Sequence, residues 1–321
     1  MRRFSWTSLC RVFLLTLTSI YIVLLVGDFA YSCWVTRQIA AWESKQVYDE
    51  QGVRDGCQAY SRGEGDDAVL LVHGFNDSPR LWDFFVEELS EQGYHCRAMR
   101  LPGFAMTNQQ YARPTVEDWV EAVQAEVATL KANHGRVHLV AHSLGAAISL
   151  ACETQEPGTF DSMSLVAPLI SVSNARSPIM STQQWEWVGR SLLVFTHSTF
   201  NPFPPDIKDP NAEDYPWRVP ATPRSVIAQT LELADQIRPL ADEITVPVLM
   251  VASRQDLVVD FEESQRFFEA ISTEKSWVEA TQSGHLVPLD LDRGEIVERL
   301  VGFWAELKSS SPNNQNETRT D

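Results

Sequence analysis

The chain has 321 residues, 44% of them apolar, and ten tryptophans. That is enough for one large α/β core or two small ones and too apolar for a disordered polypeptide. The formal charge is −17; the first 33 residues contribute three positive charges (Arg2, Arg3, Arg11) and one negative (Asp28), which leaves −19 on the rest, and a surface that acidic repels phosphate backbones and excludes a nucleic-acid partner from the reading.

In chain order, the first feature is an uncharged, mostly apolar run from Val12 to Gly27, extended by Leu9, Cys10, Phe29 and Ala30 toward the ~20 residues that cross a bilayer. Basic residues precede it, and Trp6, Tyr31 and Trp34 stand where interfacial aromatics anchor a span. The reading is a membrane anchor over residues 1–34, crossing once with the amino terminus cytoplasmic and the remaining chain on the exported side. Two alternatives compete: a signal peptide cleaved after Ala30-Tyr31-Ser32, giving a secreted protein, or lipid attachment at Cys33 behind a poor lipobox. Residues 35–65 read as a polar connector with one early hairpin.

From residue 66 an αβ rhythm sets in. Ala68 to Val72 is a buried strand, Pro79 to Gln92 a helix with Ser78 as N-cap, and His95 to Met99 a strand. Thr115 to Asn133 is an amphipathic helix, Val137 to Val140 a strand, Ala146 to Leu150 a helix, and Met163 to Ala167 a strand stopped by Pro168. Alternation at this spacing predicts a mostly parallel sheet with helices on both faces. Residues 169–240 break the rhythm with many Pro, Trp and Phe residues and read as a lid inserted over the carboxyl edge of the sheet. The core resumes over 241–308 with a strand Val248–Ala252, a helix Phe261–Ile271, a strand Ser276–Val278 and a helix Glu295–Leu307. Residues 309–321 are expected to be a disordered tail, which carries a sequon at Asn316.

The five cysteines, Cys10, Cys33, Cys57, Cys96 and Cys152, form no CxxC pair, so no zinc site or thioredoxin-type couple is indicated. Cys152 reads as a small buried hydrophobe, and a Cys57–Cys96 disulfide on an exported domain is left open. His95, His134, His138 and His197 show no spacing that suggests a metal.

The chemistry concentrates at Ala141-His142-Ser143-Leu144-Gly145. A serine between a short buried strand and a helix, with small residues two positions either side, is the layout of a nucleophile elbow, although Ser143 as a simple helix cap fits the same five residues. A serine hydroxyl needs a base and a group to orient that base. Asp256 and His285 each follow a late strand, so both loops leave the same sheet edge that presents Ser143. Asp260 rivals Asp256 but precedes a helix and makes a natural N-cap; Asp290 and Asp292 follow His285, against the expected chain order.

These stretches, with Leu71-Val72-His73-Gly74-Phe75, Leu101-Pro102-Gly103-Phe104 and Asp256-Leu257-Val258-Val259, resemble the α/β-hydrolase superfamily of serine hydrolases, nearest its carboxylesterase and monoacylglycerol-lipase branch, from Ala68 to Leu307. The resemblance implies Ser143 as nucleophile, His285 as base and Asp256 as orienting acid, with the Phe75 and Leu144 N–H groups as oxyanion hole. The chain departs from the family at Ala141, where Gly is usual, and at Phe104, where His is common. Phe75 and Phe104 are expected to line an apolar substrate path, His73 to shape its loop and His142 to be structural. The implied reaction is hydrolysis of an acyl ester, of lipid origin if the lid and anchor are taken together, with no metal or organic cofactor. An aminopeptidase or amidase would use the same residues, with Glu186, Asp206, Asp209, Glu213 and Asp214 as candidates to grip a free amino group. A membrane-tethered binding protein without activity is the third reading. The oligomeric state is open.

Overall fold

The computed structural model describes residues 6–310 except 178, 213 and 214, with side chains from Cys10 onward. Trp6, Glu213, Asp214 and the Asn316 sequon therefore lie outside the side chains described.

The chain opens with one long helix, α1 (Trp6–Glu43). A short edge strand β1 (Tyr60–Arg62) and strand β2 (Asp67–Val72) lead into a 3-10 turn (Pro79–Trp82) and α2 (Asp83–Glu91). Then come β3 (His95–Met99), the one-turn α3 (Asn108–Tyr111), α4 (Val116–Lys131), β4 (Arg136–His142), α5 (Leu144–Gln155) and β5 (Ser162–Val166). An insertion holds α6 (Thr182–Leu192) and a two-stranded ribbon of β6 (Ser198–Phe200) and β7 (Ala221–Pro223). The remaining elements are α7 (Arg224–Ile237), β8 (Val248–Ala252), α8 (Phe261–Ala270), β9 (Lys275–Glu279) and α9 (Arg293–Ser310).

The main sheet has the order β1-β3-β2-β4-β5-β8-β9 and is parallel except for β1, which runs antiparallel to β3. Strands β5 and β8 and nearly all of β2 and β4 are buried, because helices cover both faces. The helix α2 packs on α9, while α4 packs on α5 and α5 on α7. All the parallel strands end at one edge, so the loops after β2, β4, β5, β8 and β9 meet there.

Local chemistry sets most boundaries. Thr115 and Asp118 form a reciprocal capping box that starts α4. Pro79 stands at a first helical position, yet Ser78 makes no cap hydrogen bond and the first turn is 3-10; the α-helix begins only at Asp83. Three expectations need correction. First, α1 runs on to Glu43, because Val35 and Trp42 find core contacts that a solvated connector would lack. Second, the early hairpin amounts to one antiparallel bridge between Tyr48 and Arg54, and β1 pairs with β3. Third, the insertion ends before 240, since α7 buries Val226, Leu233, Ala234 and Ile237 against α5 and is core. The Cys57–Cys96 pairing left open above does not occur: both are free thiols, buried in separate apolar clusters. Cys152 is a buried hydrophobe as expected.

Several histidines have structural surroundings. His138 on β4 stacks on Trp304 at 4.9 Å, with Nδ1 2.8 Å from the Ser162 hydroxyl, and His95 stacks on His134 at 4.4 Å. Burial pushes His138 and His73 down to about 4, and His142 well below its ordinary range. The unfolded chain, with histidines near 6.5, then binds more protons than the folded one between about 6.5 and about 4. The contribution of these histidines is therefore complete above about pH 6.5 and falls as pH drops through that window, by about 3 kcal/mol for each of His73 and His138. Urea midpoints measured across this range should decline steadily below about pH 6.5, and His138→Gln should flatten the decline; a midpoint independent of pH down to about 4.5 contradicts it.

Candidate active site

Ser143 occupies the turn between β4 and α5 with φ 52° and ψ −115°, a conformation costly to any residue with a Cβ. The crowding around it explains why it persists. A Cβ on Gly145 would lie 2.5 Å from the His73 carbonyl oxygen and 2.6 Å from that of Val72, so α5 begins hard against the end of β2 and glycine alone fits. Ala141 is fully buried, and its methyl is tolerated. The end of β5 and the loop after it grip the strained residue from both sides: the Ser143 N–H donates to the Val166 carbonyl (3.1 Å), and the Ser143 carbonyl accepts from the Leu169 N–H (3.2 Å).

Three side chains meet beside this turn. His285 Nε2 lies 3.0 Å from Ser143 Oγ, and His285 Nδ1 lies 2.8 Å from Asp256 Oδ2. A carboxylate can only accept, so Nδ1 carries the proton and Nε2 is free to accept from the serine hydroxyl. Asp256 is held in turn: its Oδ1 accepts the N–H groups of Val258 (2.7 Å) and Val259 (2.9 Å). All three residues are buried, with Ser143 3% and His285 5% exposed. Asp260 instead accepts the Glu263 N–H and caps α8.

The positions of these loops depend on the insertion. Asp206 Oδ2 accepts both the Leu257 N–H (2.8 Å), next to the acid, and the His285 N–H (3.1 Å). Its backbone carbonyl accepts the Leu286 N–H (3.1 Å), and a Cβ on Gly284 would sit 2.7 Å from that same oxygen. Asp290 completes the clamp from the far side, accepting the Gly284 N–H (2.7 Å) and the Lys208 N–H (2.9 Å) on one oxygen and the Asp209 N–H (2.7 Å) on the other. Asp292 accepts the Gln282 N–H (2.8 Å) and the Ser283 hydroxyl (2.7 Å). Thus Asp290 and Asp292 shape the histidine loop rather than orient the imidazole.

The loop after β2 is built in the same way. The Leu101 N–H donates to His73 Nε2 (3.2 Å), which leaves the proton on Nδ1 to donate to the Gly74 carbonyl (3.0 Å). In a trans peptide the N–H points opposite to the C=O, so the bond from His73 turns the Phe75 N–H the other way. Neither the Phe75 nor the Leu144 N–H has an acceptor among the described residues. Arg218 of the insertion donates to the Phe75 carbonyl (3.2 Å) and to the buried Asp77 carboxylate (3.1 Å), which also accepts from the Tyr215 hydroxyl (3.0 Å). Burial pushes the Asp77 carboxyl up, and Arg218 opposes that rise. His142 packs on His285 at 4.8 Å and donates from Nε2 to the His285 carbonyl (2.9 Å).

Phe75 is half-buried at this edge, but Phe104, expected on the substrate path, is core. Its ring packs on His73 (5.1 Å), Tyr111 (4.6 Å) and Trp119 (5.7 Å), behind the loop it was expected to line. The acids suggested for an amino-group pocket are engaged elsewhere. Asp206 also pairs with Lys208 (3.1 Å), Asp209 with Arg293 (3.3 Å) and Glu186 with Arg190 (3.1 Å). The clamp formed by Asp206, Asp290 and Arg218 was not foreseen from sequence; the Asn76-Asp77 pair after Phe75 was its one local hint.

With this geometry in place, relatives become informative. A family model described as "Serine aminopeptidase, S33" matches residues 63–292. The chain belongs to this family. Among curated relatives of this S33 chain, it is 27% identical over 259 residues to a thermostable monoacylglycerol lipase of Bacillus sp. (strain H-257), covering 80% of this chain and 98% of that one. It is 24% identical over 247 residues to a carboxylesterase of Bacillus subtilis (strain 168), covering 76% and 94%. Among solved structures, a metagenome-derived lipolytic enzyme superposes with a TM-score of 0.68 at 22% identity, covering 79% of this chain and 99% of that one. The monoacylglycerol lipase of Paleococcus ferrophilus does so with 0.65 at 19%, covering 77% and 96%. The S33 chain thus has the α/β-hydrolase fold.

If Asp206 fixes the acid and histidine loops together, Asp206→Ala leaves two buried N–H groups unpaired and lets the imidazole drift. Turnover of a chromogenic ester should fall on the order of 10–100-fold with KM little changed, and Asp206→Asn should recover part of it. Wild-type kcat in Asp206→Ala contradicts the clamp.

Proposed function

We propose that this protein is a membrane-anchored serine hydrolase that cleaves carboxylic esters of apolar acyl chains through an acyl-enzyme on Ser143. The observation that carries the proposal is the hydrogen-bonded series from Ser143 through His285 to Asp256, at 3.0 and 2.8 Å, on a strained turn. In this reading Ser143 Oγ attacks the ester carbonyl carbon as its proton passes to His285 Nε2. Asp256 stabilises the resulting imidazolium. The developing oxyanion accepts from the Phe75 and Leu144 N–H groups, each typically worth ~2.7–4 kcal/mol in the barrier. The imidazolium protonates the leaving alcohol, which departs. Water, deprotonated by His285, then releases the acid and regenerates the serine.

Ester substrates are supported by the monoacylglycerol lipase and carboxylesterase among the relatives. An apolar acyl group is supported by a cavity of about 570 Å³ between the insertion and α7, walled by Ile179, Trp185, Leu193, Phe203, Ile227 and Leu231. The insertion would act as a lid over the site. Arg176, on the same wall, stands 3.9 Å from Asp206, which links the cavity to the histidine loop. An amidase taking a free amino terminus is disfavoured because Glu186, Asp206 and Asp209 already hold cationic partners. The anchor reading rests on α1: residues 12–27 are apolar, uncharged and exposed almost throughout, about 24 Å of helix. Arginines before it favour a cytoplasmic amino terminus and an exported catalytic domain.

Purified protein should hydrolyse p-nitrophenyl esters with a preference for medium or long chains, and should do so faster than aminoacyl amides with matched leaving groups. Ser143→Ala should lower that turnover by at least about 10³-fold without loss of fold. Amide preference in the parent enzyme, or turnover retained in Ser143→Ala, contradicts the proposal. Asp256→Asn should lower kcat roughly 10²–10⁴-fold, whereas Asp260→Asn, which keeps a capping side chain, should stay within about twofold. The reverse ranking moves the acid to Asp260.

A further inference from the structure

Asp28 marks the point where α1 changes its surroundings. Before it, the large apolar side chains from Val12 to Val26 are mostly exposed, and only 6% of the apolar window is buried. After it, Val35 is fully packed and Glu43 accepts the Asn108 N–H (2.6 Å). Asp28 itself is buried, and its partners all come from the stretch that follows α6 in the insertion. One carboxylate oxygen accepts the N–H groups of Val194 (2.7 Å) and Phe195 (2.8 Å); the other accepts the Thr196 hydroxyl (2.6 Å). One turn on, the Ser32 hydroxyl donates to the Phe195 carbonyl (2.7 Å), and Phe29 meets Phe195 edge-on at 5.5 Å.

The helix α6, which runs into the bonded stretch, has no buried side chain of its own. The helix α6 leaves Trp187 68% exposed and Trp185 49% exposed, and Ile179 and Phe195 at its two ends are exposed as well. Through Phe195 and Phe29, the stretch just after α6 meets a helix whose apolar length is almost wholly exposed among the described residues. An apolar surface that adjoins a bilayer-length apolar helix has the chemistry of a membrane-interface contact, and tryptophan is the residue type enriched there.

We propose that the Asp28 carboxylate latches the insertion to α1 where that helix leaves the membrane, and that the aromatic surface around α6 rests on the phospholipid bilayer α1 crosses. The proposal rests on the anchor reading given above and adds to it a second membrane contact. It also favours the anchor over the signal peptide, because cleavage before Cys33 would remove Asp28 and Ser32 and strand the Val194 and Phe195 N–H groups and the Thr196 hydroxyl. Because the chain is strongly acidic, the matching surface is zwitterionic rather than anionic lipid.

The test uses the full-length protein in phosphatidylcholine vesicles, with Trp187→Cys introduced beside Cys10→Ser and Cys33→Ser and labelled with a thiol fluorophore; the remaining cysteines are buried. Acyl-chain nitroxide lipids should quench the label by at least about half, Asp28→Leu should reduce the quenching at least twofold, and Asp28→Asn should lie between. If Asp28→Leu does not fold, Thr196→Val, which removes the hydroxyl contact alone, is read in the same way. A label that nitroxide lipids leave unquenched, or equal quenching with and without the Asp28 carboxylate, overturns the proposal. Turnover of water-soluble p-nitrophenyl acetate, followed in the same samples, keeps the two readings apart. It should stay within about twofold of the parent in Asp28→Leu, and its absence in the parent counts against the hydrolase reading instead.

Discussion

The peptide chain at Ser143 is held at φ 52° because two carbonyl oxygens, those of Val72 and His73, leave no room for a Cβ at Gly145. That crowding brings the start of α5 against the end of β2. It presents the serine hydroxyl at the sheet edge and points the first free N–H of α5 the same way. Strain of this kind, of order 1–3 kcal/mol, persists only when surrounding contacts over-determine it. Here the hydrogen bonds from Ser143 to Val166 and from Leu169 to Ser143 do so. The same pressure turns His73 into a structural group: with one nitrogen accepting from Leu101 and the other donating to Gly74, it is neutral and fully committed.

Around this turn, the insertion is part of the site's framework. Asp206 joins the acid loop to the histidine loop through backbone N–H groups, Arg218 and Tyr215 fix the loop at Phe75 through Asp77, and Asp290 ties the insertion to Gly284. Carboxylates accepting two or more N–H bonds are rigid supports, because moving them leaves several buried donors unpaired. A rigid acid–histidine pair beside a strained serine lowers the reorganisation needed when charge develops. The acidic composition that excluded nucleic acid therefore has an internal part too, since Asp77, Asp206, Asp256, Asp290 and Asp292 are all buried in this framework.

Much of this was legible in sequence where the signal is local. Strand β8 matches its apolar run residue for residue, and Thr115 with Asp118 marks the start of α4. Ser143, Asp256 and His285 were readable because each follows a strand of a parallel sheet, so topology alone brings them to one edge. The rest was hidden for physical reasons. The acceptor role of Asp206 depends on N–H groups 51 and 79 residues away, which no pattern of side chains encodes. Phe104 read as a path-lining residue because an aromatic in a loop gives no sign of which way it packs. The helix α7 was absorbed into the insertion because a Pro- and Trp-rich approach masked its apolar face. The span of α1 beyond residue 34 looked polar, since the groups that bury Val35 and Trp42 come from elsewhere in the chain.

The central claim, that Ser143 is made uniquely nucleophilic by its hydrogen-bonded histidine, is tested most directly by peptide mapping after reaction of the folded protein with an alkyl fluorophosphonate. The account predicts one adduct, on the peptide containing Ser143, which disappears when the protein is unfolded before exposure. An adduct on another residue, or none on the folded protein, would contradict it.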